Sequence, residues 1–386
     1  MFAQAKNTLT SDEYNELYRW YLSELQQPIS AEFKEVAYNT PDFAMQVNLR
    51  NSIATFAAYK EYHYIEQLNA ALFDSNGKPV TKQAFLKAAK AISSDFNKRF
   101  LSVEYDTAQA KAQSAAQWLD IERNADVAPW LVYDTAGDSR VRPAHALLNG
   151  ITKRYDDPWW SSHTPPLGYG CRCTIGQVTD GTETKNKDIP AVVVTPGFGS
   201  NPLNEPVVWN SNHPYYSKVN KDDRLKLTQM SNKYTFTVAH STSNGVVLQS
   251  KKFKDTNKAK VLNAAKILAY NGHQVVLVAD GYFGKRANGK NPEVELNGKI
   301  ADIKHFINTA PSLSSIEHHI KTGAKKYYET VVIDFEDYKV DFELINKAIA
   351  QSKTRPEIGK KHGQKLSEII IISKDGIKSI SYKLPK

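Results

Sequence analysis

Acids and a lysine alternate with apolar residues along Asn291-Pro-Glu-Val-Glu-Leu-Asn-Gly-Lys-Ile-Ala-Asp-Ile-Lys304. A period of two is the mark of short strands. Asn297-Gly298 stands between the two runs and is a strong hairpin-turn signal. Glu293 and Glu295 fall on one face of the first strand, and Asp302 and Lys304 on one face of the second. Carboxylates brought together on adjacent strands can hold a divalent cation against a phosphate, with an ammonium beside it. The plainer alternative is a charged hairpin at a solvated sheet edge, since Asp-x-Lys is a short pattern.

A second set of chemistry-bearing residues lies between Pro129 and Ile175. His145, His163, Cys171 and Cys173 offer two thiolates and two imidazoles, a donor set suited to tetrahedral zinc. The Cys-x-Cys spacing is tighter than the usual zinc pattern. The alternative is two buried cysteines and a histidine tied into a hydrogen-bonded loop. These are the only two cysteines in the chain, and a disulfide closed across one intervening residue would be strained. His318-His319, on a basic helical stretch, are available for acid–base work, although adjacent histidines in such a place are usually surface residues.

The elements that must position these groups change character along the chain. Residues 1–128 read as helical: Ser11-Asp-Glu-Tyr14 opens a helix, and Leu17, Tyr18, Tyr21 and Leu22 recur at helical spacing. Pro28 and Pro41 are expected to break the run. Helices are expected over Phe43–Leu72, Thr81–Phe96 and Ala108–Arg123, with aromatic and alanine-rich faces suited to a core or to docking other chains. Residues 129–215 are irregular and rich in Pro, Gly and Trp. Residues 216–230 are expected to be a linker.

From residue 231 onward the order β-β-α-β-β-β-α-β-α-β-β is expected, a compact domain of about 150 residues. The fold class is therefore multi-domain: a mainly α N-terminal region with an irregular loop-rich segment, then an α/β (α+β) domain with a mixed sheet.

The charge is unevenly spread. Residues 231–386 hold 26 Lys+Arg and 15 Asp+Glu, or +11 of the +9 total, leaving about −2 on the rest. A polyanionic partner is expected for this half, with nucleic acid the default. No run of 18 apolar residues occurs, so no membrane partner is expected. Met1-Phe-Ala-Gln-Ala-Lys6 lacks the apolar core of a signal peptide.

Arg142-Pro-Ala-His145, Trp159-Trp160 and Pro165-Pro-Leu-Gly-Tyr-Gly-Cys-Arg-Cys173 resemble the signature of the minor head, or head morphogenesis, proteins of tailed phages, the group named after protein F of phage Mu. With the helices before it, the resemblance extends over about residues 1–215. It implies a capsid-associated protein near the portal, with capsid and portal proteins as partners and a location in the virion or the host cytoplasm. It implies no catalytic role for these residues.

Val275 to Asp280, Asn291-Pro-Glu293, Asn297-Gly-Lys299, Asp302-Ile-Lys304 and the Ser-rich turn before a basic helix resemble the tRNase toxin domains of contact-dependent growth inhibition proteins. The acid, spacer, Asp-x-Lys order is that of a PD-(D/E)xK-type nuclease. The resemblance implies Mg²⁺ or a similar cation held by Glu293 and Asp302, with Asp280 as a third ligand. Lys304 would orient water or stabilise charge, and Lys285, Arg286 and Lys290 would grip phosphates. Family members usually carry Asp where Glu293 stands; both supply a carboxylate. RNA or tRNA, and after them DNA, are the implied substrates, and an immunity or inhibitor protein the implied companion. Phage head proteins of this kind are also joined to metal-independent RNases of the barnase–EndoU–colicin–RelE group, for which His318 and His319 would serve. A purely structural head protein with a DNA-contacting basic tail is the remaining expectation.

Overall fold

The computed structural model describes residues 11–255, 257–283, 292–306, 310–326, 328–335, 338–354 and 366–382. The chain divides into two compact units, residues 1–36 with 40–231, and 37–39 with 232–386.

The first unit begins with three long helical stretches. Helix α1 runs Ser11–Glu32, α2 Pro41–Ala70, α3 Lys82–Ser94 and α4 Leu101–Arg123. A π-helical turn, Asp95–Phe100, joins α3 to α4 without a break. Pro41 does end a run, but as the first residue of α2, where its missing N–H costs nothing, and the Thr40 hydroxyl accepts from Phe43 N. Pro28 does not break α1, contrary to expectation. Tyr18, Tyr21, Leu25, Ile29 and Phe33 form one buried stripe that passes across it. Burying that many large side chains outweighs the roughly 3 kcal/mol cost of an internal proline.

The loop-rich part of this unit is built around a three-stranded antiparallel sheet, β1 Trp130–Asp134, β2 Thr152–Arg154 and β3 Thr174–Val178, in the order β2-β1-β3. Two single-turn helices, α5 Pro143–Ala146 and α6 Trp160–His163, lie in the connections. Trp118 of α4, Leu131, Tyr133, Trp160 and Ile175 close one core under the sheet. The tail after it returns to α2: Phe56 stacks on Trp209 at 3.8 Å, and Tyr59 meets Tyr216 edge-on. Residues 216–230 are not a bare linker. They contain the end of helix α7, Pro214–Ser217, and most of α8, Lys221–Ser231, whose Asp223 accepts from the Tyr62 hydroxyl of α2.

Among its described residues, the second unit has the expected element order. It consists of β4 Phe236–Ser241, β5 Val246–Ser250, α9 Lys258–Tyr270, β6 Gln274–Leu277, β7 Val294–Leu296, β8 Lys299–His305, α10 Leu313–Lys325, β9 Thr330–Asp334, α11 Phe342–Thr354, β10 Glu368–Ser373 and β11 Gly376–Ser381. The eight strands form one mixed sheet in sequence order. The pairs β5–β6, β8–β9 and β9–β10 are parallel and the rest antiparallel. Alternation decides the layering. Val275, Leu277, Ala301, Ile303, Val332 and Ile370 bury one face under α9, while Val331, Ile333, Ile369 and Ile371 bury the other under α10 and α11. With apolar residues on both faces the central strands read as near-continuous Val/Ile runs. No helix of the described residues is long and apolar enough to cross a membrane.

Candidate functional site

The β7–β8 hairpin turns where the sequence places it. Asn297 and Gly298 both take positive φ, 49° and 77°, the backbone that a two-residue turn of this hand requires. Asn297 Oδ1 also accepts from Gln274 N, fixing the turn to β6. The register sets Leu296 opposite Lys299, Glu295 opposite Ile300 and Val294 opposite Ala301. Its continuation points Glu293 toward Asp302.

Glu293, Asp302 and Lys304 line one cleft of about 770 Å³. The other walls are Phe253, Lys254 and Asp255 after β5, Asn257, Lys258 and Val261 at the start of α9, and Ile303 and His305 on β8. The cleft thus opens at the carboxyl end of β8 and at the N-terminus of a helix, the end of an α/β sheet where ligands collect. Glu295 is half-buried further along β7 and does not line the cleft. Asp280 is exposed on the turn after β6. Lys285, Arg286 and Lys290 lie outside the described residues.

Electrostatics separate the roles within the cleft. Lys304 Nζ stands 2.6 Å from Asp302 Oδ2. Among the described residues, no cation pairs with Glu293 in this way. Burial first, then a hydrogen bond with Asp255 and the negative fields of Asp255, Asp302 and Asp280, push its carboxyl up to about 7. A carboxyl that resists ionisation among other carboxylates is one that a cation would relieve. The donor set is all oxygen, which suits a hard divalent cation.

Two neighbours of this cleft were not singled out from the sequence. Asp255 lies 38 positions before Glu293, in a loop whose spacing gives no signal. His305 directly follows Lys304, and adjacency to the Asp-x-Lys pattern could have drawn attention to it. Its Nδ1 is 3.2 Å from Asp334 Oδ2, with both side chains almost wholly buried. The parallel register pairs these two residues at the ends of β8 and β9. The two histidines of α10 differ. His318 is exposed, while His319 packs edge-on against Phe306 and is held down to about 4 by burial and by the positive fields of Lys304, His318 and His305.

In the first unit, His145, Cys171 and Cys173 come together, with their ligand atoms within 4.8 Å of one another. Cys171 Sγ is 3.5 Å and Cys173 Sγ 3.8 Å from His145 Nδ1. Arg172, between the cysteines, forks onto Asp138 and anchors the loop before α5. Cys171 is held down to about 5, first by the Cys173 thiol that donates to it, and Cys173 is pushed up by the same bond. His163 is outside the group. Its ring stacks on Trp159 at 4.6 Å, and its Nδ1 meets Trp159 O and Ser162 Oγ.

Residues 75–176 match the family model described as Phage Mu protein F like protein. The match runs from before α3 into β3 and contains Arg142, His145, Trp159 and the Cys-Arg-Cys run. It is narrower than the 1–215 expected from the motifs. Protein F of Escherichia phage Mu, named for capsid assembly, is 35% identical over 77 residues, 20% of this chain and 18% of that protein. The Mu-like prophage FluMu F protein of Haemophilus influenzae is 35% identical over 74 residues, 19% of this chain and 18% of that one. A Methanocaldococcus jannaschii protein, itself uncharacterized, is 46% identical over 50 residues, 13% of this chain and 8% of its own length. The chain thus matches less than a fifth of the length of these relatives. No solved structure matches it. The chain carries a phage Mu F-like domain over residues 75–176, ahead of a separate eight-stranded unit.

Proposed function

We propose that this is a phage or prophage head-assembly protein whose second unit is a metal-dependent nuclease acting on RNA, tRNA first. The head role rests on the Mu F-like domain, and capsid and portal proteins are the partners that follow from it, in the virion or in the host cytoplasm. The nuclease role rests on one observation: Glu293, Asp302 and Lys304 share a single cleft at the carboxyl end of β8, beside Lys254 and Lys258.

Each residue then has a task. Glu293 and Asp302 would hold the cation, with Asp255 or Asp280 completing the oxygen donors. A divalent cation there would neutralise phosphate charge and lower the pKa of a bound water. Lys304, placed by its ion pair with Asp302, stabilises charge that develops on the phosphate oxygens. Lys254 and Lys258 draw the backbone toward the N-terminus of α9, whose dipole favours an anion. Lys285, Arg286 and Lys290, outside the described residues, are in this reading the further phosphate-gripping side chains.

The full chain, incubated with tRNA, other RNA and DNA with and without Mg²⁺ or Mn²⁺, tests the reading. Cleavage that needs the cation and is lost in Asp302→Ala supports it. An intact chain that cuts none of these substrates with any divalent cation would reduce the protein to a structural head component with a basic tail. Cleavage indifferent to a chelator would instead favour a metal-independent RNase, for which buried His305 beside Lys304 is the residue to examine.

A further inference from the structure

We infer that His145, Cys171 and Cys173 form a zinc site with three protein ligands and a fourth position open to solvent. The inference concerns the first unit and does not depend on the nuclease reading. Two thiolates and an imidazole are the donors zinc prefers. The distances fit as well. Zn–S and Zn–N bonds in a tetrahedron set sulfur and nitrogen about 3.6 Å apart, and the two thiols stand 3.5 and 3.8 Å from His145 Nδ1. The imidazole is almost wholly buried, so the group is already gathered, with little chain to reorganise on binding.

The surroundings supply what such a site needs beyond its ligands. Tyr133, fully buried on β1, has its hydroxyl near Cys173 and without a hydrogen-bond partner among the described residues, free to donate to the Cys173 sulfur once it is a thiolate. A hydroxyl donating to a thiolate orients it and tempers its charge, the usual part of the second layer around a metal. Arg172 and Asp138 hold the two loops that carry the ligands against each other. The histidine expected as the fourth ligand, His163, is engaged elsewhere with Trp159 and Ser162.

The fourth position instead faces a cleft of about 710 Å³, lined by Cys171 and Cys173 with Gln113, Ser114 and Gln117 of α4. Water would occupy it, and an added thiol or chelator could reach it. The ion would tie α5 to the start of β3, elements 26 residues apart in the chain between His145 and Cys171.

The test uses the full chain purified without chelators. Metal analysis is expected to find zinc bound, and after stripping, Co²⁺ is expected to restore the site with sulfur-to-cobalt charge-transfer absorption. The oxygen donors of the β8 cleft cannot give that absorption, so failure of one site is not mistaken for failure of the other. Cys171→Ser and Cys173→Ser should each abolish the absorption, while His163→Ala should retain it. Both thiols should react slowly with a chromogenic disulfide until the metal is removed. A folded wild-type chain that gives no sulfur-to-cobalt absorption and whose thiols react alike with and without added zinc would overturn the site, whatever the variants do. Loss of the absorption in folded His163→Ala would overturn the three-ligand assignment.

Discussion

Asp302 Oδ2 and Lys304 Nζ are 2.6 Å apart, two residues along one strand and on the same face of it. The pair is partly exposed, so its value to stability is small, about 1 kcal/mol or less. Its value to the cleft is positional, because it fixes an ammonium beside the carboxylates. Asp302→Ala and Lys304→Ala are therefore expected to lower cleavage on the order of 10²–10³-fold, as loss of an electrostatic contact in the transition state does. Unfolding midpoints should stay close to wild type. Gel assays on labelled RNA, paired with thermal melts, check both halves; a large drop in melting temperature would make the loss of activity uninformative about chemistry.

Glu293 should make stability depend on pH. Its carboxyl is raised from the ordinary 4.5 to about 7, by burial first and then by Asp255, Asp302 and Asp280. A group raised on folding stabilises fully below its unfolded value, and the contribution is lost as pH rises through the folded value. Melting temperature is thus expected to fall from this source between about pH 4.5 and 7. Glu293→Gln should flatten that slope, and Mg²⁺ should offset it by binding the ionised form. An unchanged slope in Glu293→Gln would show that the shift lies elsewhere.

The histidines separate two chemistries. On the metal reading, EDTA abolishes cleavage, and His305→Ala and His319→Ala reduce it less than Asp302→Ala does. On the metal-independent reading, the ranking reverses and EDTA does nothing. Rates for the three variants, measured with and without EDTA, decide the order. His319, held down to about 4, is expected to remain neutral throughout the assay range.

The helical unit has its own buried pair. Lys60 Nζ is 2.7 Å from Glu104 Oε2 and 2.9 Å from the Phe96 carbonyl inside the π-helical turn, and both side chains are nearly inaccessible. Removing one partner strands the other charge, which costs about 3–5 kcal/mol. Glu104→Ala is expected to destabilise by that amount in a denaturant titration. If it costs under about 1 kcal/mol, water enters the site and relieves the charge.

Local pattern carried much of this protein. The two-residue turn at Asn297-Gly298 and the eleven-element order of the second unit's described residues follow from spacing within a few residues. The motif from Arg142 to Cys173 was equally legible, because loops of special geometry need Pro, Gly and Trp at fixed places.

What the sequence could not decide depends on residues far apart. Pro28 looked like a stop, but a buried stripe on both sides of it carries the helix through. Four zinc-type side chains stood within thirty positions, and folding gathered three while stacking His163 on Trp159. Glu293 and Asp302 could be matched by counting, yet Asp255 reaches them only because α9 begins beside the end of β8. His305 meets Asp334 only through the parallel register of β8 and β9. Period and turn chemistry act along the chain, so sequence alone shows them. Desolvation and Coulomb forces act through space, so the raised carboxyl of Glu293 and the closure of His145 on the two thiols were decided by the tertiary structure.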